Sequence, residues 1–178
     1  MKENPAIVQR DNTVLRLKAK PVPASEIGSP RIQGIISDMK KALSTQKDGI
    51  AIAAPQIGQS LRIFVVSGRL LSEADKTYKG EPTELVFINP EITRRSRDKK
   101  EMEEGCLSVR WLYGKVKRST RVSLKALNEN GEAIERGASG LLAQIFQHET
   151  DHLDGTLFTD LAREIWEMSP EEIAELQK

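Results

Sequence analysis

The sequence predicts an α+β fold in which antiparallel β-sheets surround a central helix that carries an H-E-x-x-H motif. Short runs rich in β-branched and aromatic residues occur in the first half of the chain, and a turn-forming Asn-Gly pair later separates two alternating runs. A helix with apolar residues on more than one face follows them. Because strands that precede a late helix are typical of antiparallel sheets rather than of repeated βαβ units, we expect mainly antiparallel pairing.

The first predicted helix begins after Ser29, a residue type that caps helices, and has Pro30 at its first position. Aliphatic residues then recur at helical spacing to about Thr45, which indicates one apolar face. Strands are predicted at residues 61–66, 85–88, 121–127 and 132–136. A polar loop at 67–83 separates the first two strands, and Asn130-Gly131 joins the last two as a hairpin.

The central helix is predicted from Ser139, as N-cap, to Leu153, with Gly155 placed to end it. Its apolar residues occupy more than one face, so we expect it in the middle of the fold. We expect one catalytic domain over residues 1–178, with a helical tail at 161–178 that has an N-terminal capping box at residues 169–172.

The 27 basic and 26 acidic residues leave a net charge of +1, which argues against a protein that coats nucleic acid. No apolar run approaches the roughly 18 residues that span a bilayer, so membrane insertion is not expected. The first 20 residues lack the apolar stretch of a secretory signal, and we expect a cytoplasmic protein of bacterial type. The same start also fits an organellar protein whose presequence lies outside the given sequence.

Two histidines, His148 and His152, are the only ones in the chain, and both belong to the H-E-x-x-H motif. On a helix, side chains four residues apart lie on one face, so both imidazoles can reach one metal ion. Glu149 follows His148 directly, so we expect it to lie beside such an ion rather than to coordinate it. The alternative, two buried histidines and a carboxylate without a metal, would be costly in free energy.

A metal ion bound by two histidines needs a third protein ligand, and the residues alone do not identify that ligand. The metzincin proteases continue the motif to a glycine and a third histidine, and this chain has Gly155 at the first position but Phe158 at the second. A protease of the gluzincin type would use a downstream glutamate, such as Glu171 or Glu172. Cys106, the only cysteine and so unable to form an internal disulfide, is the remaining candidate, although a lone cysteine by itself is more often a buried structural thiol.

Three separated segments resemble, in order, the motifs of the peptide deformylase family. These are Gly49–Gln56 (GIAIAAPQ), Glu104–Ser108 (EGCLS) and Gln147–His152 (QHETDH). The resemblance extends from about Ile7 to about Phe158. Three motifs in the right order are far more specific than H-E-x-x-H alone.

The resemblance implies one divalent metal ion bound by Cys106, His148 and His152. Ferrous iron (Fe2+) is the expected native ion, with zinc or nickel as substitutes. Three protein ligands leave a position for water, as in catalytic rather than structural metal sites. The implied substrates are N-formylmethionyl peptides, which are hydrolysed to formate and a free amino terminus.

By the same resemblance Glu149 is the general acid and base, and the Gln56 amide and the Leu107 backbone N–H stabilise the oxyanion. Gly49 and Gly105 correspond to positions where backbone comes close to metal or peptide, and Ile50 lines the substrate cleft. Leu141 and Ile145 also match cleft positions, although core packing explains such aliphatic residues equally well.

Two residues depart from the family pattern, Ala51 in place of glycine and Arg110 in place of proline. Both are expected at the peptide-binding edge, where they bear on substrate range rather than on the metal. An H-E-x-x-H endopeptidase and a metal-binding homologue without turnover remain the alternatives.

The ribosome is a possible partner because such substrates emerge from it, yet no nucleic-acid-binding motif is present. The basic window 94–100 lacks aromatic residues for base stacking and is followed by Glu101, Glu103 and Glu104. We therefore expect a solvated strand edge or loop there. Some similar enzymes reach the ribosome through a basic C-terminal helix, whereas the helix in this chain is acidic.

Overall fold

The computed structural model describes residues 6–70 and 83–176. Its α-helices are α1 (Pro30–Ser44), α2 (Gly140–Leu153), α3 (Phe158–Leu161) and α4 (Pro170–Leu176). Its strands are β1 (Ala51–Ala53), β2 (Ile63–Val66), β3 (Leu85–Arg95), β4 (Lys99–Gly105), β5 (Leu112–Ser119), β6 (Arg121–Leu127), β7 (Ala133–Ser139) and β8 (Ile165–Glu167). In these ranges no helix is long and apolar enough to cross a membrane.

The strands form two antiparallel sheets, as the sequence predicts. One sheet has five strands in the order β1-β2-β3-β6-β7, and the other has three in the order β4-β5-β8. The β6–β7 hairpin turns at Gly131, which has φ +82°. Glycine reaches this left-handed conformation without the steric cost that a side chain adds.

The capping predictions hold for α1 and α4. The hydroxyl of Ser29 accepts a hydrogen bond of 3.3 Å from the backbone N–H of Ile32. Ser169 and Glu172 bond reciprocally, since each backbone N–H donates to the other's side chain at 2.8 and 3.2 Å. Such bonds satisfy amide groups that the first turn of a helix leaves without partners.

Helix α2 packs in the middle of the fold, as its apolar pattern predicts. Phe146 lies 5.9 Å from Phe64 and 5.1 Å from Phe87, measured between ring centroids, and all three rings are fully buried. Ser139 occupies the N-cap position as predicted, although its side chain makes no capping hydrogen bond. Ser139 also ends β7, so the sheet rather than a cap determines how the chain enters the helix.

The C-terminal end of α2 is held by the N-terminal segment. The backbone N–H of Ala19 donates a 2.9 Å hydrogen bond to the carbonyl oxygen of Leu153. Gly155 follows with φ +77°, and a Cβ at this position would lie 2.7 Å from the carbonyl oxygen of Arg16. Only glycine fits a left-handed turn so close to another backbone.

Several boundaries differ from the sequence prediction. The strand expected to stop at Ile88 continues to Arg95 through a bulge at Asn89, which has φ +52°. The Asn89 side chain forms two 2.8 Å hydrogen bonds with the backbone of Val22, and these bonds support the unusual conformation. Strands β1, β4, β5 and β8 were not predicted, and β8 lies in the tail expected to be helical. The predicted loop at 67–83 falls largely outside the described residues.

Candidate metal centre

Cys106, His148 and His152 converge at the junction of the two sheets. Cys106 directly follows β4, while the histidines are one turn apart on α2. The Cys106 Sγ lies 3.2 Å from the His152 Nε2, and one possible ligand atom from each of the three residues lies within 4.8 Å of the others. One thiolate and two imidazoles in this arrangement are typical ligands of zinc or ferrous iron.

A buried ion-pair network orients the first histidine. The Nδ1 of His148 lies 2.9 Å from the Oε2 of Glu104, which leaves Nε2 as its ligand atom. Arg118 holds Glu104 with two hydrogen bonds of 2.7 and 2.9 Å and reaches Asp151 at 2.5 Å. Burial alone would raise the pKa of Glu104, but the hydrogen bonds from Arg118 and His148 lower it to about 2. Glu104 therefore stays ionised and fixes the ring.

Sequence reasoning missed Glu104 and Arg118 as parts of the site. It treated Glu104 as one of the acids that balance the basic window, but the residue is only 4% exposed and faces inward. Its position immediately before Gly105-Cys106, inside the EGCLS segment, was the available signal. Arg118 lies on β5, and no local pattern connects it with the motif.

Glu149 is buried beside the ligands. Its Oε2 has no hydrogen-bond partner in the part of the chain that the structure describes. Burial raises the pKa of Glu149 to about 7, although the nearby His148 opposes this shift. Burial also lowers the pKa of His152 well below its usual value, which favours the neutral imidazole that binds metals. A carboxyl group with a near-neutral pKa is suited to both accepting and returning a proton.

Gln56 lies on the other side of the cysteine, in a short 3-10 helix after β1. Its Oε1 accepts a 2.8 Å bond from the Ala53 N–H, which fixes the amide with its nitrogen toward the site. That Nε2 lies 3.5 Å from the Cys106 Sγ and 3.2 Å from the Ser108 hydroxyl. Leu107 adjoins the cysteine and is buried, so both predicted oxyanion donors lie close to the candidate ligands.

A cavity of about 250 Å³ opens onto these residues. Its lining includes all the substrate residues named from the sequence, which are Gly49, Ile50, Gly105, Leu141 and Ile145.

Gly105 also has a steric reason within the chain itself to be glycine. A Cβ there would lie 2.6 Å from the Tyr113 ring on the paired strand β5. Likewise, a Cβ on Gly49 would lie 2.8 Å from the Cβ of Gln46. Ala51 begins β1, is 7% exposed and lacks a positive φ, so its methyl group costs no backbone strain.

Comparison with known proteins agrees with this geometry. The model of the polypeptide deformylase family matches residues 5–167. The chain belongs to this family. Peptide deformylase 2 of Clostridium acetobutylicum is 40% identical over 154 residues, which cover 86% of this chain and 92% of the relative. Deformylases are metal-dependent hydrolases, so this chain belongs to an enzyme family.

Solved deformylase structures have the same fold. The Acinetobacter baumannii enzyme with Met-Ala-Ser bound is 35% identical, with a TM-score of 0.78 over 90% of this chain and 99% of that one. The Thermotoga maritima enzyme is 32% identical, with a TM-score of 0.78 over 92% and 100% of the two chains. The likeness confirms the predicted α+β fold class.

The deformylase assignment also separates this chain from the protease patterns. Phe158, at the third-histidine position of the metzincins, is buried and stacks on His148 with ring centroids 6.4 Å apart. Glu171 and Glu172 lie on the exposed helix α4. Among the described residues, the group close enough to share one ion with both histidines is completed by Cys106.

Proposed function

We propose that this deformylase-family chain acts as one catalytic domain that removes the N-formyl group from methionine at the start of new peptides and releases formate. The observation that carries the proposal is the convergence, beside a cavity, of three potential metal-ligand atoms and a buried carboxylate oxygen that has no hydrogen-bond partner among the described residues. A structural metal site would not need a proton acceptor beside it.

The donor set fits a divalent metal. Cys106, His148 and His152 would hold it, and Glu104 supports the second of these ligands. We propose ferrous iron as the native ion, as the family resemblance implies, and a thiolate with two imidazoles also suits the expected substitutes zinc and nickel. When bound, such an ion lowers the pKa of water and polarises the formyl oxygen.

The protein's own groups supply the rest of the chemistry. Glu149 takes the proton that water loses as it attacks the formyl carbon, and it later delivers that proton to the departing amine nitrogen. The Gln56 Nε2 and the Leu107 N–H donate to the oxygen that gains negative charge. The bond from Ala53 holds the Gln56 amide in the donating orientation before substrate arrives.

The cavity and the free edge of β1 would bind the peptide. Strand β1 is at the edge of the five-stranded sheet, so an extended peptide can pair with residues 49–51. The first side chain would then lie against Ile50, Leu141 and Ile145, all of which line the cavity. The Acinetobacter relative was solved with the tripeptide Met-Ala-Ser, whose sequence starts with methionine.

The decisive experiment is anaerobic incubation of the iron-loaded protein with formyl-Met-Ala-Ser while formate is measured. An internal peptide without a formyl group serves as the protease control. Formate release from the first peptide alone is the expected result. Cleavage of the internal peptide would favour the endopeptidase, whereas metal binding without either product would favour a binding homologue.

For its cellular setting, we propose the cytoplasm and a transient contact with the ribosome. The basic window and the neighbouring Arg121 support that contact better than the acidic helix α4 does. Arg94, Arg95 and Arg121 line a groove of about 530 Å³ and have no ion-pair partner among the described residues. Charge reversal of these arginines should weaken sedimentation with ribosomes at low salt but leave hydrolysis of free peptide unchanged.

A further inference from the structure

One side-chain cluster at the cavity lies outside the machinery described so far. Arg110 forms a two-pronged ion pair with Asp48, and its second amino group also donates to the Gln46 side chain at 2.9 Å. The guanidinium lies 4.3 Å over the Trp111 ring. Asp48, Arg110 and Trp111 all line the cavity.

This ion pair joins two loops that both line the cavity. Residues 45–50 connect α1 to β1, and residues 106–111 connect β4 to β5 and carry the candidate cysteine ligand. Arg110 joins the two loops with three hydrogen bonds, two to Asp48 and one to Gln46. Each loop also contacts other parts of the fold, as in the backbone bond of 2.8 Å from Ser67 to Ile50 and the 3.2 Å contact of the Gln56 amide with Ser108.

The geometry restrains this ion pair more strongly than an ordinary ion pair on the surface. Only 19% of the Arg110 side chain and 21% of the Asp48 side chain are exposed. Two parallel hydrogen bonds, a third acceptor and an aromatic face together fix the guanidinium. Isolated, mobile pairs on the surface lack all of these restraints.

We infer that Asp48 and Arg110 are positioning residues that set substrate preference beyond the first methionine. The inference rests on the proposed function, in which the peptide runs along residues 49–51, next to Asp48. Because the two charges are paired, they cancel. The cavity wall is then electrically neutral where the second and third residues of the peptide would lie. Removal of either charge leaves the other unpaired. Substitutions of Asp48 and of Arg110 should therefore shift the preference for charged peptide residues in opposite directions.

The test compares formyl-Met-Ala-Lys with formyl-Met-Ala-Glu. Asp48→Asn leaves the arginine charge and should favour the glutamate peptide, whereas Arg110→Met leaves the carboxylate and should favour the lysine peptide. We expect the ratio of kcat/KM values to change by about fivefold in each direction, as for a charge partly screened at the protein surface. Most of the change should lie in KM. A purely structural role would affect both peptides equally.

The double variant Asp48→Arg with Arg110→Asp restores neutrality and should return the ratio toward that of the unmodified protein. Glu26→Gln is the matched control, because it breaks an exposed pair with Arg31 and neither residue lines the cavity. Thermal melting of every variant checks folding, and a single variant that does not fold is replaced by Asp48→Ser or Arg110→Gln.

Equal ratios in both single variants, with an active unmodified protein, would overturn the inference. So would the same loss on formyl-Met amide, which has no residue beyond methionine. If the unmodified protein releases no formate, the proposed function fails instead. Calorimetric binding of Met-Ala-Lys and Met-Ala-Glu then tests the charge preference separately, and equal affinities in both single variants would refute it.

Discussion

Arg118 offers the sharpest test of how the candidate centre is held together. Its side chain is 6% exposed and contacts two carboxylates, Glu104 and Asp151. The substitution Arg118→Met keeps much of the apolar stem but removes the charge. Glu104 would then keep only His148 and Gln144 as hydrogen-bond partners in the described structure, while remaining almost fully buried.

Loss of one partner from a buried ion pair leaves an uncompensated charge and costs about 3–5 kcal/mol of unfolding free energy. Domains of this size are stable by roughly 5–15 kcal/mol, so the loss is a large fraction of the total. At about 2–4 °C per kcal/mol for 150–250 residues, Tm should fall by about 6–20 °C. Arg118→Lys keeps the charge without the fork geometry, so it should lose less.

Urea unfolding of chelator-treated protein measures this free energy without a contribution from bound metal. The matched control is Arg163→Met, because Arg163 meets Glu101 at 3.7 Å with both side chains at least half exposed. We expect the control to lose about 0–1 kcal/mol. A loss for Arg118→Met no larger than that of the control would refute the claim that this network holds Glu104 and His148 in place.

Three further predictions concern the site directly. Glu149→Gln should retain bound metal by elemental analysis but lose at least about 100-fold in kcat, and unchanged turnover would exclude its role as base. Cys106→Ser replaces a thiolate with a neutral hydroxyl, so metal affinity measured by chelator competition should fall at least about tenfold, and equal affinity would remove Cys106 from the ligand set. Gly105→Ala places a methyl group 2.6 Å from the Tyr113 ring, so both kcat/KM and Tm should fall. Gly137→Ala is the control, because apart from its chain neighbours no described atom lies within 4 Å of the Cβ it would add, and equal Tm values for the two variants would contradict the steric argument.

Local signals account for what the sequence predicts well. The Ser29-Pro30 pair, the helical spacing after it and the Asn130-Gly131 turn act within a few residues, and the structure bears out all three. Strand β1, by contrast, is three residues long and buried throughout, so it has no alternation to detect. Strand β4 is rich in lysine and glutamate and forms because seven of its residues pair with β5.

The residues of the candidate site also divide into those that a local sequence pattern predicts and those that only the folded structure brings together. His148 and His152 are predictable because helical spacing puts them on one face, whereas Cys106 is identified by the resemblance of the EGCLS segment to a family motif. The partnership of Glu104 with Arg118 depends on two paired strands whose register no local pattern reveals. Asp48 and Arg110 are 62 residues apart in sequence and meet only after both loops have folded.

The contact between the end of α2 and the N-terminal segment affects when the enzyme can first work. Ala19 and Leu153 are joined by a backbone hydrogen bond, so the helix that carries both histidines is anchored by residues synthesised much earlier. Contacts between such distant segments form late and slow the folding of a domain. During translation, the early strands are made before this helix, so the candidate ligands cannot meet until the helix has been synthesised. The complete set of candidate ligands can therefore assemble only after His152 has left the ribosome.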